Sequence, residues 1–191
     1  MDLIKIFITA FLIDNIVILR FIALCPFIGM STDEDKSTGM GLAVTFVMVL
    51  ATCVTWPVFT FIMRPLGLDF LRILAFVLVI AALVQLVEYY LKKASPALYS
   101  AMGIFLPLIT VNCAIMAVVL ENIDRNYSFI ESVVYALGVS AGFLLAMLLL
   151  AGIRRRIRTS PIPAFLKGPP ILFICTCLLS IAFMGFSGLV K

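Results

Sequence analysis

The sequence predicts an all-α polytopic membrane protein, with six transmembrane helices arranged as two inverted three-helix repeats and an interrupted first and fourth helix. Three observations carry that prediction. The 191-residue chain is 64% hydrophobic and only 13% charged, about half the roughly 25% charge of a soluble domain. Its apolar residues gather in runs of about 20, enough to cross a ~30 Å hydrocarbon core at ~1.5 Å per residue. The first run of each half also carries a proline and polar side chains where plain lipid-spanning sequence would have none. No water at that depth satisfies backbone groups, so the runs should be helices.

In chain order the runs are 3–27, 40–62, 70–91, 99–120, 129–153 and 170–190. The first lacks the basic n-region and small-residue cleavage site of a signal peptide, and it contains Asp14, Asn15 and Arg20, so it reads as mature protein. A charge without a partner at the bilayer centre costs at least ~2.5–3.5 kcal/mol. Asp14 and Arg20 are six apart, poor spacing for one helix face, so each should find a partner on another helix. Pro26 cannot continue a hydrogen-bonded helix and disfavours helical backbone at Cys25, which predicts a break near Cys25.

The second run carries Cys53 as its one cysteine, and the third has Glu88 near its end. The fourth contains "PLITVNCAIM". Pro107 there removes a backbone donor, Thr110 and Asn112 can satisfy freed groups or bond to another helix, and Cys113 lies near mid-run. The fifth run is followed by "RRRIR", a topology determinant suited to contact anionic lipid or a further subunit. The sixth holds Cys175 and Cys177, which point to nearly opposite sides of a helix and cannot chelate one ion together. Cys53, Cys175 and Cys177 therefore read as packing residues.

The connections are too short for a soluble catalytic domain, so nucleotide chemistry would have to occur on another subunit. The chain reads as a single integral-membrane domain over 1–191, bounded by the lipid bilayer, with no nucleic-acid partner. Six spans put Lys5, Arg64, Arg72, Arg125 and Lys191 on one face. Lys36, Lys92, Lys93, the four arginines of "RRRIR" and Lys167 fall on the other. Basic residues favour the cytoplasm, so both termini are predicted outside.

An internal repeat is visible as agreement in offset. "GLAVTFVMVLA" from Gly41 and "ALGVSAGFLLA" from Ala136 differ by 95 (136 − 41), as do "FLR" from Phe70 and "FLK" from Phe165 (165 − 70). Asn15 and Asn112 differ by 97 (112 − 15). The halves are about 1–95 and 96–191. Three spans per half make the second half enter from the opposite side, an architecture whose sites lie near the midplane on interrupted helices.

That pattern singles out Cys25 and Cys113, one thiol beside a helix breaker in each half. Tetrahedral zinc takes four ligands and the chain has no histidine. An iron–sulfur cluster typically takes four Cys, of which this pair is half, so a second chain of similar build would have to complete it. A disulfide between the two, or a secondary transporter with a midplane substrate site, are the other readings. A purely structural anchor leaves both polar segments unexplained.

"GIFLPLITVNCAI" (103–115), "NIVILRFIALCPFIG" (15–29), "LAFVLVIAALVQ" (74–85) and "AFMGFSGLVK" (182–191) closely resemble the Rnf–Nqr family of membrane subunits. The resemblance runs essentially end to end. "LCPF", "GFSGLVK" and the short loop between Arg64 and Phe70 favour the Rnf branch over the E-type subunit of the sodium-pumping NADH:quinone oxidoreductase. The resemblance implies a six-helix subunit paired with a homologous E-type membrane subunit of opposite orientation. Together such subunits hold a [2Fe–2S] cluster inside the membrane, each giving one Cys from its first and one from its fourth span. Here those are Cys25 and Cys113, with Asp14, Asn15, Pro26, Thr110 and Asn112 around them. The resemblance also implies a complex in a bacterial or archaeal cytoplasmic membrane. That complex moves electrons between ferredoxin and NAD and couples this to Na⁺ or H⁺ transport. NAD, FMN and the other iron–sulfur clusters would reside on partners among the B, C, D and G subunits. Two positions depart from the family pattern: Asp14 stands where Asn is expected, and the loop "STDEDKS" is acidic where the family tends to be basic. Asp14 reads either as an ion-coupling acid or as a partner of Arg20.

Overall fold

The structure, a computed structural model, describes residues 3–31, 34–64, 71–94, 112–161, 163, 166 and 168–185. Every regular element among them is helical. Helix α1 (Leu3–Ile8) runs into a π-helical turn, Thr9–Ile13. Two short helices follow, α2 (Ile16–Arg20) and α3 (Leu24–Met30). Helix α4 (Glu34–Val58) also ends in a π turn, Phe59–Met63. The remaining helices are α5 (Arg72–Ala94), α6 (Cys113–Asp124), α7 (Phe129–Arg158) and α8 (Pro169–Met184).

Three helices among the described residues are long and apolar enough to cross a membrane: Ser37–Met63, Arg72–Tyr89 and Phe129–Arg158. Leu3–Ile13 and Pro169–Met184 are shorter apolar helices. The sequence predicts six spans. The first of them is divided into α1, α2 and α3 rather than forming one helix. Most of the fourth, including Pro107 and Thr110, lies outside the described residues.

The seam of the fold is the contact of α4 with α7. Met40, Val44, Val47 and Ala51 on α4 are buried, as are Ala136, Val139, Phe143, Ala146 and Leu150 on α7. Both sets follow the alternating three- and four-residue spacing that keeps one helical face on its partner. Gly41 allows close approach, since a Cβ there would run into Leu144. Apolar burial does not drive association between helices in lipid, so close packing of this kind has to hold the seam. Helix α5 turns only a narrow stripe inward, Phe76, Ile80 and Val84. Its outer side chains, Leu74, Leu78 and Leu86, are exposed and apolar, as suits a surface facing lipid or another subunit.

Side-chain chemistry explains the local irregularities. Pro57 sits inside α4 and brings no N–H. The π turn follows directly, and the Thr60 hydroxyl donates to the Trp56 carbonyl at 2.9 Å, a side-chain repair of a disturbed ladder. At the start of α7, the Glu131 carboxylate accepts from both the N–H and the hydroxyl of Ser128 at 3.0 Å, fixing the first turn. Basic residues Arg155, Arg156 and Arg158 fill its last turn, where they complement the helix dipole.

Polar contacts define two ends. At one, Arg72 pairs with Asp124 at 2.8 Å and the Trp56 indole N–H donates to the Tyr127 carbonyl at 3.1 Å. At the other, Arg154 donates to the Ile28 carbonyl at 3.1 Å and to the Ser31 hydroxyl at 3.2 Å. Arg72 and the 124–128 connection therefore share one end, and residues 28–31 share the other with the end of α7.

Candidate functional site

The first run is interrupted twice, and Asn15 organises the first interruption. Its backbone is extended (φ −66°, ψ 108°), and its side-chain oxygen accepts from Val17 N–H at 3.1 Å and Ile18 N–H at 3.4 Å. It is thus the N-cap of α2. Its amide nitrogen donates across to the Gly142 carbonyl at 3.0 Å. The approach depends on glycine: a Cβ on Gly142 would lie 2.9 Å from the Phe11 oxygen and 3.0 Å from Asn15 Nδ2. Gly138 serves the same purpose a turn earlier, 2.9 Å from the Ala10 methyl by the same measure.

The second interruption falls at Phe21 and Ala23, both left-handed, with φ of 53° and 69°. Neither is glycine, so each costs roughly 1–2 kcal/mol of local strain. Here the structure corrects the sequence reading of Pro26. The break lies upstream of Cys25, and Pro26 sits in the first turn of α3. An N–H there has no intrahelical partner, so proline is tolerated. Pro26 starts a helix rather than ending one.

Asn112 repeats the role of Asn15. Its backbone is extended (φ −72°, ψ 112°), and its side-chain oxygen accepts from Ala114 N–H at 3.0 Å, capping α6. Its amide nitrogen is buried and has no partner among the described residues. Cys113 is therefore the first residue of α6, and Cys25 is the second of α3. Both thiols are exposed. The two helix starts meet, for the Ala23 N–H donates to Cys113 Sγ at 3.0 Å. Thr110 lies outside the described residues.

Asp14 belongs to a cluster of charges. Arg20 grips it with two nitrogens, Nε at 3.1 Å and Nη2 at 2.9 Å. The six-residue spacing is no obstacle, because the chain leaves the helix between them at Asn15. Asp14 and Arg20 are thus direct partners, as one of the two sequence readings of Asp14 has it. Each also has the interhelical partner that their spacing called for. Arg20 reaches Glu121 at 3.1 Å, and Arg125 reaches Asp14 at 2.9 Å and also pairs with Glu121. The Tyr135 hydroxyl donates to Glu121 at 2.8 Å. Burial opposes the charge on Arg125, but its hydrogen bonds to Tyr127 and Glu121 outweigh that and hold the guanidinium above its ordinary pKa. Two acids and two arginines leave the cluster neutral. It ties the segment between the two breaks to the α6–α7 hairpin and borders an open cleft of about 330 Å³.

Sequence reasoning misses Glu121, Arg125 and Tyr135. The four-residue spacing of Glu121 and Arg125 is the available signal; nothing local points to their partners in the first run. Of the other thiols, Cys53 is half-buried and Cys175 packs against the core, whereas Cys177 is exposed on α8. No three His, Cys, Asp or Glu side chains among the described residues are grouped to hold a metal ion. Cys25 and Cys113 offer two thiols at the meeting point of α3 and α6, and no more.

Residues 3–190 match the profile of a family described as Rnf-Nqr subunit, membrane protein. The chain is 50% identical over 189 residues to the A subunit of the ion-translocating oxidoreductase complex of Syntrophotalea carbinolica, covering 99% of this chain and 98% of that protein. It is also 50% identical over 189 residues to the A subunit of the Na⁺-translocating ferredoxin:NAD⁺ oxidoreductase complex of Acetobacterium woodii, with the same coverage. The A subunit of the ion-translocating oxidoreductase complex of Yersinia enterocolitica matches at 50% over 185 residues, covering 97% of this chain and 96% of that protein.

Proposed function

The chain belongs to the Rnf-Nqr family of membrane subunits, and on that premise we propose that it is an electron-relay subunit of an ion-translocating ferredoxin:NAD oxidoreductase complex. In this reading Cys25 and Cys113 give half the ligands of an intramembrane [2Fe–2S] cluster, and a homologous E-type subunit gives the rest. NAD, FMN and further clusters reside on partners among the B, C, D and G subunits, and the coupled ion is Na⁺ or H⁺. The complex sits in a cytoplasmic membrane with both termini of this chain outside.

One observation carries the reading: two exposed thiols stand at adjacent helix starts, with Cys113 Sγ accepting the Ala23 N–H at 3.0 Å. Thiolate sulfur is the donor that iron–sulfur clusters take, and N–H···S bonds are one of the means by which proteins set their potential. Two thiols are half a ligand set, and exposure leaves them open to a second chain. The residues therefore fit the group. When bound, a cluster of this kind supplies a one-electron redox station. The residues of this chain hold the thiols in place: Asn112 caps the helix that starts at Cys113, and Pro26 preforms the first turn around Cys25.

The inverted repeat has support of its own. Asn15 and Asn112 are both extended N-caps where a helix restarts. Helix α4 with its π turn (34–63) and α7 (129–158) are offset by 95 at both ends (129 − 34, 158 − 63). The pairing of Asp14 with two arginines favours a structural over an ion-coupling role for that acid.

The deciding experiment is electron paramagnetic resonance on the dithionite-reduced complex. Cys25→Ala and Cys113→Ala should each abolish a [2Fe–2S] signal that Cys53→Ala leaves intact. A complex that keeps the signal and its full iron content after both ligand changes would sink the assignment.

A further inference from the structure

A cleft at the end of the fold opposite the Asp14 cluster has no place in the electron-relay reading. It lies between the last turn of α7 and the first turn of α8 and encloses about 330 Å³. We propose that this cleft binds the headgroup of an anionic phospholipid.

Charge is the first argument. Arg154 and Arg158 both line the cleft. They are four residues apart on one face of α7. Their fork of N–H donors matches the oxygens of a phosphate seated between them. Arg154 is already held in place by its bonds to the Ile28 carbonyl and Ser31 hydroxyl at 3.1 and 3.2 Å, so little of its freedom remains to be lost on binding.

Shape and position favour a lipid over a soluble anion. Ser160 adds a hydroxyl beside the arginines, while Ile157, Ile171 and Leu172 form an apolar wall. A polar mouth on an apolar wall suits a phosphate with a glycerol ester beneath it. Helix α7 has 30 residues and is thus about 45 Å long, more than the ~30 Å hydrocarbon core. Its terminal arginines fall in the headgroup layer. Helix α8 begins at the same cleft with Pro169 and Pro170, and its N-cap Gly168 makes no side-chain cap. Ile171 therefore carries the first N–H of that helix, next to the proposed phosphate.

The test uses the membrane complex that contains this chain, purified and stripped of lipid with detergent. Dioleoylphosphatidylglycerol, dioleoylphosphatidylcholine and inorganic phosphate are added separately, and binding is read by native mass spectrometry and by the shift in melting temperature. Phosphatidylglycerol should bind and stabilise, with the other two giving much smaller effects. Arg158→Gln should weaken its binding about fivefold, the worth of one arginine near a charged headgroup. Arg158→Lys should retain most of it, and Lys93→Gln on exposed α5 should leave it unchanged. Equal binding by Arg158→Gln and Lys93→Gln would overturn the site. Equal protection by phosphatidylcholine would overturn the charge argument, and equal protection by phosphate would replace the lipid with a soluble anion.

Discussion

The backbone N–H of Ala23 donates to Cys113 Sγ at 3.0 Å, joining residues ninety apart in the chain. Ala23 can do this because it is left-handed (φ 69°), which turns its N–H away from the ordinary helical direction at the break before α3. The strain at this one residue thereby serves the contact between the two thiol-bearing helices.

Position 23 should accordingly tolerate glycine and reject branched side chains. Ala23→Gly is expected to be neutral or stabilising by up to ~1 kcal/mol, since glycine reaches positive φ without penalty. Ala23→Val should destabilise by ~1–2 kcal/mol or more, because a β-branched residue is a true outlier there. Melting curves of the purified complex, with maleimide labelling of Cys113, would read both effects. Faster labelling in Ala23→Val alone is the expected pattern.

The charge cluster should behave unlike the peripheral ion pair. Arg72 and Asp124 are 31% and 56% exposed, so Asp124→Asn should cost no more than ~1 kcal/mol. Glu121 is only 13% exposed and faces two arginines and Tyr135. Glu121→Gln should cost about 2 kcal/mol, below the ~3–5 of a fully buried pair because Arg20 and Arg125 remain partly in solvent. Denaturation of each variant in detergent would compare them; equal losses would remove the cluster's special status.

Two glycines on α7 should respond oppositely to the same change. A Cβ at Gly142 meets the Phe11 oxygen at 2.9 Å, whereas one at Gly152 meets nothing within 4 Å. Gly142→Ala should separate α7 from the π turn and cost ~1–3 kcal/mol. Gly152→Ala should stabilise by ~0.5–1 kcal/mol through helix propensity. Thermal unfolding of the two variants side by side is sufficient.

The paired asparagines should not be equivalent either. Asn15 caps α2 and also reaches Gly142, whereas the Asn112 amide nitrogen is buried without a partner among the described residues. Asn112→Ala removes a cap worth ~0.5–2 kcal/mol together with a group that is costly to bury. Asn15→Ala loses the cap and an interhelical bond worth a further ~0.5 kcal/mol or more. Asn15→Ala should therefore lower the melting temperature more, and the reverse order would mean that the Asn112 nitrogen has a partner.

Legibility differs sharply between neighbouring residues. The helical nature of the runs can be read directly, because lipid leaves a backbone no other way to satisfy its own polar groups. So can the polar character of 14–15 and 112–113, and the basic cluster closing α7. Pro26 misleads because a proline reads alike whether it ends one helix or opens the next. What separates the two cases is the conformation of Phe21 and Ala23, and neither residue type advertises positive φ. Glu121 and Arg125 resemble an ordinary loop pair because their further partners, Asp14 and Arg20, lie about 100 residues away.

By itself, then, the sequence determined the environment, the helical class and the two thiol segments. These follow from composition and from spacing within single runs, where each residue's solvent and nearest neighbours are fixed by the chain itself. Only the tertiary structure decided where the first run breaks, that Asp14 and Arg20 share a cluster with the α6–α7 hairpin, and that the starts of α3 and α6 touch. Each of those depends on backbone turns at single residues that bring distant segments within about 3 Å, the range over which hydrogen bonds and ion pairs act.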